Sequence, residues 1–217
     1  MIKFDQVLKF YRIRGHRKVV LNYVSMNFEP GYSYGILGVN GAGKSTLMRL
    51  IAGAELPNSG RIQRTMRVSW PLGFAGGLHP GLTGKENVQF IARTYGENPR
   101  EVVDFVEDFA EIGPYINAQV KTYSSGMIAR VAFGLSMAIN FDCYLIDEVM
   151  GVGDARFQAK CKAQFDRRKE FSDVIMISHD PLTIRQYCER GVVLADGQLH
   201  FFNQVDDAID LYRRINM

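Results

Sequence analysis

The sequence predicts an α/β fold organised on a phosphate-binding loop, with an N-terminal antiparallel β region and an inserted α-helical subdomain. Three observations carry this. Gly38-Val39-Asn40-Gly41-Ala42-Gly43-Lys44-Ser45-Thr46 fits the pattern G-x-x-x-x-G-K-[ST] between a strand-like Tyr34-Gly35-Ile36-Leu37 and a helix-like Leu47-Met48-Arg49-Leu50-Ile51. Residues from about 75 to 138 carry helical signals, with strand-type segments on both sides. The apolar run Phe141-Asp142-Cys143-Tyr144-Leu145-Ile146 ends in two acids, Asp147-Glu148.

Composition sets the frame. The 217 residues suit one domain, or one core with an inserted subdomain, and an apolar share of 47% is enough for a sizeable core. A net charge of +3 is too weak to argue for nucleic acid, which needs a clustered basic face. Cys143, Cys161 and Cys188 have no metal-type spacing, and such sparse use fits a reducing cytosol. Met1-Ile2-Lys3-Phe4-Asp5 reads as a strand rather than a signal peptide, and the longest uncharged runs are too short to span a bilayer. A membrane role is therefore expected to come through a partner.

The first 28 residues read as short strands with a turn at Arg14-Gly15-His16, and Val24, Met26 and Phe28 alternate with Ser25 and Asn27. Tyr11 in this region is either an ordinary strand aromatic or a platform for a base, since a ring face can stack on one. Glu29-Pro30-Gly31 turns the chain into the loop strand. In the loop itself, glycines leave backbone N–H groups free to point at phosphate oxygens, and the following helix N-terminus favours anions. Lys44 is placed to reach the β- and γ-phosphates, and the Ser45 hydroxyl to sit on Mg²⁺.

Beyond the first helix, Pro57-Asn58-Ser59-Gly60 is a turn, and Arg61-Ile62-Gln63 and Met66-Arg67-Val68-Ser69-Trp70 read as strands. The stretch from Pro71 through Gly73, Phe74 and Leu78 to Leu82 is unusually apolar for a loop. It is either a partner-docking loop or a buried crossover. Thr83-Gly84-Lys85-Glu86 is a capping box, and Asn98-Pro99-Arg100-Glu101 a second helix start. Val102, Phe105, Val106 and Phe109 form a core stripe. Tyr123-Ser124-Ser125-Gly126-Met127 opens another helix. By itself that is a capped start, and it also has the makings of an anion site.

With a phosphate loop upstream, Asp147 reads as a Mg²⁺ residue and Glu148 as the group that polarises a water. Gly151-Val152-Gly153-Asp154 is a turn before a helix with Phe157, Cys161 and Phe165 on one stripe and a solvated basic face. Val174-Ile175-Met176-Ile177 is a buried strand leading to Ser178-His179, and Asp180-Pro181 starts a helix. Asp196-Gly197 is a hairpin turn, and Val205, Ala208, Ile209 and Tyr212 form the stripe of a last helix.

Taken together, these residues resemble an ABC-transporter ATP-binding subunit over essentially the whole chain. The order matches: Tyr11, the loop at 38–46 as Walker A, a signature-like segment at 123–127, a Walker B strand ending Asp147-Glu148, a D-loop-like turn at 151–154, and His179 as a switch histidine. The narrower resemblance is to the capsular polysaccharide export ATP-binding proteins of Gram-negative bacteria. It rests on Ser69-Trp70-Pro71-Leu72-Gly73-Phe74-Ala75-Gly76-Gly77, Leu82-Thr83-Gly84-Lys85-Glu86-Asn87, Lys121-Thr122-Tyr123-Ser124-Ser125-Gly126-Met127 and Val152-Gly153-Asp154-Ala155-Arg156-Phe157. Two features depart from the general pattern. The signature has Met127 where a glutamine is usual, and the loop around Gly73 lacks the glutamine that relays nucleotide state to the permease.

The resemblance implies a P-loop NTPase with a RecA-like core, one ABC ATPase domain over 1–217. Residues 1–74 and 139–217 form its core, and about 75–138 its helical subdomain. It implies ATP and Mg²⁺ as ligands. Tyr11, Gly38, Asn40, Gly41, Gly43, Lys44, Ser45, Thr46, Ser124 and Gly126 would contact nucleotide, Ser45 and Asp147 the metal, and Glu148 and His179 would be catalytic. It implies a homodimer with ATP between Walker A of one copy and Ser124–Gly126 of the other. The partners it implies are a membrane permease docked at 74–82, periplasmic and outer-membrane export proteins, and a lipid-linked polysaccharide, with no nucleic acid. The expected place is the cytoplasmic face of the inner membrane. An O-antigen or teichoic-acid exporter subunit is the main rival. Many O-antigen subunits carry an extra C-terminal sugar-binding domain, and this sequence reaches Met217 without one, so substrate choice is expected to rest with the permease. A soluble ABC ATPase and a P-loop kinase are weaker rivals.

Overall fold

The computed structural model describes residues 1–13, 15–72, 77–147, 153–178 and 180–216. Along the chain run β1 (Ile2–Ile13), β2 (His16–Phe28), β3 (Tyr34–Leu37), α1 (Lys44–Ala52), β4 (Ser59–Arg64), β5 (Val68–Pro71), α2 (Gly84–Thr94), α3 (Pro99–Ala110) and two 3₁₀ turns. Then follow α4 (Ser125–Ala138), β6 (Cys143–Asp147), α5 (Ala155–Lys169), β7 (Asp173–Ile177), α6 (Pro181–Tyr187), β8 (Arg190–Ala195), β9 (Gln198–Phe202) and α7 (Val205–Ile215). By contacts the chain divides into two units. The described residues of 1–71, 141–148 and 172–217 form one, and those of 72–140 and 149–171 the other.

The first unit holds two sheets. A three-stranded antiparallel sheet has the order β2-β1-β4, and a six-stranded sheet the order β5-β6-β7-β3-β8-β9. In the larger sheet every neighbouring pair is parallel except β8 with β9. Its central strands are apolar runs buried along nearly their whole length, as parallel strands covered on both faces must be. Leu47, Met48, Leu50 and Ile51 of α1 join Ile36, Leu145, Ile177 and Val192 in one core, together with Ile2, Phe4 and Phe28 of the smaller sheet.

The β1–β2 pair is longer than the short strands the sequence suggests. Its register shifts between Phe4 and Val7, where Gln6 takes φ 51°, and Tyr23 in β2 takes φ 52°. Such bulges break the period-two pattern, which is why the sequence pattern reads as interrupted. Gly60 in β4 meets the bulge with φ +78°, and a Cβ there would stand 2.1 Å from the Gln6 carbonyl oxygen.

Register then places the site. Asp147 pairs with Ile177, and Ile177 with Ile36, so the carboxyl ends of β6, β7 and β3 are level. The strand order also reverses at β3, which has β7 on one side and β8 on the other. Open α/β sheets bind ligands at such a switch point, beyond the carboxyl ends of the strands.

The second unit is helical. Thr83 and Glu86 exchange the two bonds of a capping box at α2, Asn98 caps α3 with Pro99 at its first position, Ser124 caps α4, and Asp154 caps α5. Phe109 stacks on Phe133 at 5.9 Å and meets Phe157 edge-on at 5.5 Å. The α5 stripe of Phe157, Cys161 and Phe165 is buried, and α5 clusters with this unit. The helical unit therefore takes in α5, which the sequence alone places in the 139–217 part of the α/β core. The packing that draws it over is non-local and leaves no periodicity signal.

Candidate functional site

The loop leaving β3 is built by two left-handed glycines. Gly41 has φ +77° and Gly43 φ +110°, conformations a side chain resists. A Cβ on Gly43 would also stand 2.2 Å from Val20 Cγ1, and one on Gly38 2.7 Å from the Leu194 carbonyl oxygen. The Ala42 N–H donates to the Val39 carbonyl at 3.1 Å, closing the turn, and α1 starts at Lys44 with Leu47 N–H donating to Gly43 at 2.9 Å. The Lys44 ammonium donates to the Gly38 and Val39 carbonyls at 2.7 and 3.2 Å. It therefore lies across the loop it belongs to.

A cavity of about 380 Å³ opens there, lined by Asn40, Gly41, Gly43, Lys44, Ser45 and Thr46, by Asp147 and Ile177 from the level strand ends, and by Tyr11, Lys18 and Val20 from the β1–β2 pair. Nearly every loop residue singled out in the sequence thus lines one space, with Tyr11 and Asp147. Gly38 is buried and is not among the lining residues. The amide groups of a turn with left-handed glycines, the positive end of α1 and the Lys44 ammonium together suit a chain of phosphates. For a hard divalent cation the space offers the exposed Ser45 hydroxyl and the part-exposed Asp147 carboxylate. Among the described residues no group of three or more His, Cys, Asp and Glu side chains is placed to hold a metal ion.

Tyr11 is tied down firmly. Its hydroxyl donates to Glu55 Oε1 at 2.6 Å and lies 3.3 Å from Thr46 Oγ1. Glu55 also meets Lys9 Nζ at 2.8 Å and Arg49 Nε at 3.0 Å. Burial would push the Glu55 carboxyl up, but the bonds from Lys9, Tyr11 and Arg49 outweigh it and hold it at about 2.

Ser124 and Gly126 belong to the helical unit and are exposed at the start of α4. Ser124 Oγ accepts the Met127 N–H at 3.2 Å, while Tyr123 is buried and donates to the Tyr115 carbonyl at 2.6 Å. Glu148, His179, the apolar residues 73–76 and 151–152 of the D-loop-like turn lie outside the described residues. Of the apolar loop, Leu78 is buried and Leu82 is at the margin of exposure.

Sequence reading missed Lys18, Val20, Ile177 and Glu55. Lys18 stands opposite Tyr11 in the β1–β2 register, and Lys18 and Val20 share a face by period two. That was the available signal. It is hidden because Lys18 follows His16 and Arg17 and reads as part of a solvated turn.

Residues 21–151, more than half of the chain, match the family model described as ABC transporter. The chain is 47% identical over 213 residues to the "ATP-binding protein BexA" of Haemophilus influenzae, covering 98% of each. It is 48% identical over 216 residues to the "Capsule polysaccharide export ATP-binding protein CtrD" of Neisseria meningitidis serogroup B, covering 99% of this chain and all of CtrD. The O-antigen export protein RfbB of Klebsiella pneumoniae and the teichoic acids export protein TagH of Bacillus cereus are more distant, at 33% and 38%, and the match covers 42% of TagH. Among solved structures, the post-hydrolysis dimer of the cassette MJ0796 with ADP and Pi superposes with a TM-score of 0.75 at 22% identity, covering 94% of this chain and 99% of that one. That likeness bears on the fold. The matches run from the first strands through the phosphate loop to the last helix, and the chain belongs to the ABC transporter family as an ATP-binding subunit.

Proposed function

We propose that this chain binds ATP with Mg²⁺ and hydrolyses it to drive export of lipid-linked capsular polysaccharide through a separate membrane permease. The observation that carries the substrate class is the near-half identity over essentially full length to BexA and CtrD, against a third or little more for RfbB and TagH. No helix among the described residues is long and apolar enough to cross a membrane. We assign the chain to the cytoplasmic face of the inner membrane, held there by the permease, with periplasmic and outer-membrane proteins completing the route and no nucleic acid involved.

In this reading the loop amides from Gly38, Asn40, Gly41 and Gly43, with Ser45 and Thr46, hold the phosphates. Lys44 leaves its carbonyl partners to neutralise the β- and γ-phosphates. Ser45 and Asp147 would hold Mg²⁺, which would neutralise charge developing on the phosphates. Tyr11 stacks on the base. Glu148 takes a proton from water as its oxygen bonds to the γ-phosphorus and the bond to the β–γ bridging oxygen breaks, giving ADP and phosphate. His179 orients that water or the γ-phosphate. Two copies pair, with Ser124 and Gly126 of one closing on the γ-phosphate held by the other, so both sites of a two-fold dimer are alike. Hydrolysis removes the shared ligand and lets the pair open.

The test is co-purification with the neighbouring permease and ATPase assay in lipid. Stimulation by lipid-linked capsular polysaccharide but not by O-antigen or teichoic-acid precursors is expected, with loss of both binding and turnover in Lys44→Ala. Equal stimulation by an O-antigen precursor would overturn the substrate assignment and leave the ATPase assignment standing. His179→Ala is expected to cut turnover with folding intact.

A further inference from the structure

The carboxylate of Glu55 belongs to no motif, yet it sits at the centre of the wall that carries Tyr11. It lies in the connection after α1, where its N–H donates to the Arg49 carbonyl at 3.2 Å. One carboxylate oxygen takes the Tyr11 hydroxyl at 2.6 Å and the Lys9 ammonium at 2.8 Å, and the other takes Arg49 at 3.0 Å. Arg49 Nη2 donates onward to the Thr46 hydroxyl at 3.1 Å. Lys9 is 7% exposed, also donates to the Leu56 carbonyl at 2.8 Å, and lies over the Tyr11 ring, 5.2 Å from its centroid. From these bonds we infer that Glu55 is a positioning residue of the nucleotide site: it holds the Tyr11 ring in place before the base arrives.

Three points support this role over simple anchoring of a loop. The bonds converge on the hydroxyl of the one aromatic ring lining the cavity among the described residues, which donates to the Glu55 carboxylate and accepts, at 3.3 Å, from the Arg49 guanidinium. Both cations are committed to the same carboxylate, so its removal frees Lys9 beneath the ring as well as the ring itself. A preset ring spares the ordering that a swinging side chain must undergo on binding. The effect belongs to the base and not to the phosphates, and that distinction makes it measurable. The inference rests on Tyr11 being the base platform.

The experiment compares ADP and inorganic pyrophosphate as ligands of the full chain by calorimetry, in wild type, Glu55→Gln, Tyr11→Phe and Tyr11→Ala. Tyr11→Phe keeps the ring and both ion pairs while losing the short bond to Glu55 and the hydroxyl's longer contacts with Thr46 and Arg49, so it remains informative if Glu55→Gln folds poorly. Glu55→Gln and Tyr11→Phe should each weaken ADP by ~3–10-fold, the scale of one ordinary net hydrogen bond. The double variant should be little worse than either, because both cut the same bond. Pyrophosphate affinity should stay within about twofold, since it is held by the phosphate loop and Lys44 and touches no base platform. Unchanged ADP affinity in a folded Tyr11→Phe, or an equal loss for ADP and pyrophosphate, would overturn the role of Glu55. Unchanged ADP affinity in Tyr11→Ala would instead remove Tyr11 as the base platform.

Discussion

Two helix starts in this chain look alike in sequence and differ in structure. The start of α1 follows a loop with two left-handed glycines, has no side-chain cap, and carries Lys44 over a cavity of about 380 Å³. The start of α4 is exposed, and its Ser124 already accepts the Met127 N–H. One is shaped to receive an anion within its own unit. The other is a satisfied, open helix end, which can close on a ligand held elsewhere but encloses none among its own residues. In the proposed reading the phosphate site is complete on one side and contributory on the other, with a second copy supplying the missing half.

Breaking the α1 side should cost the most. Glu148→Gln is expected to lower turnover by ~10²–10⁴ with ATP binding retained; steady-state ATPase and nucleotide titration check it, and near-normal turnover would remove Glu148 as base. Gly43→Ala asks a residue to adopt φ +110° against Val20 Cγ1 at 2.2 Å. A loss of ~1–3 kcal/mol in urea unfolding, with loss of nucleotide binding, is expected. On the α4 side, Ser124→Ala should cost ~1 kcal/mol through its cap alone. Ser124→Asp separates the two roles: aspartate caps as well as serine, so stability holds, while a negative charge facing a γ-phosphate should cut turnover at least about tenfold. The smallest effect is a pH dependence. Glu55 lies at about 2 in the folded chain, below the ordinary 4.5. Its stabilisation is complete above 4.5 and is lost as pH falls through about 2. The stability gap between wild type and Glu55→Gln should therefore be flat from pH 6 to 8 and shrink in acid, read by urea unfolding at each pH.

The same contrast explains what the sequence could reveal. Residues 38–46 were legible because glycine, lysine and hydroxyl at fixed spacing have one common physical use. The capping box at Thr83, the Asn98 and Asp180 caps and the Asp196-Gly197 turn were legible because each satisfies backbone groups within a few residues. Contacts between distant segments were not. The bulges at Gln6 and Tyr23 hid the length of β1 and β2. The burial of α5 against Phe109 joined it to the helical unit. Glu55 in Ala54-Glu55-Leu56-Pro57 reads as a solvated loop acid until Lys9, far earlier in the chain, is seen to meet it.

The most direct test of the half-site account is complementation between copies. Lys44→Ala damages the α1 side and Ser124→Asp the α4 side, so each homodimer has two defective sites. In a mixed dimer both defects fall in one site and the other is intact. Mixing the two inactive proteins should restore ATPase activity well above the sum of the separate preparations. Activity that stays at that sum, with mixed dimers shown to form, would contradict the account.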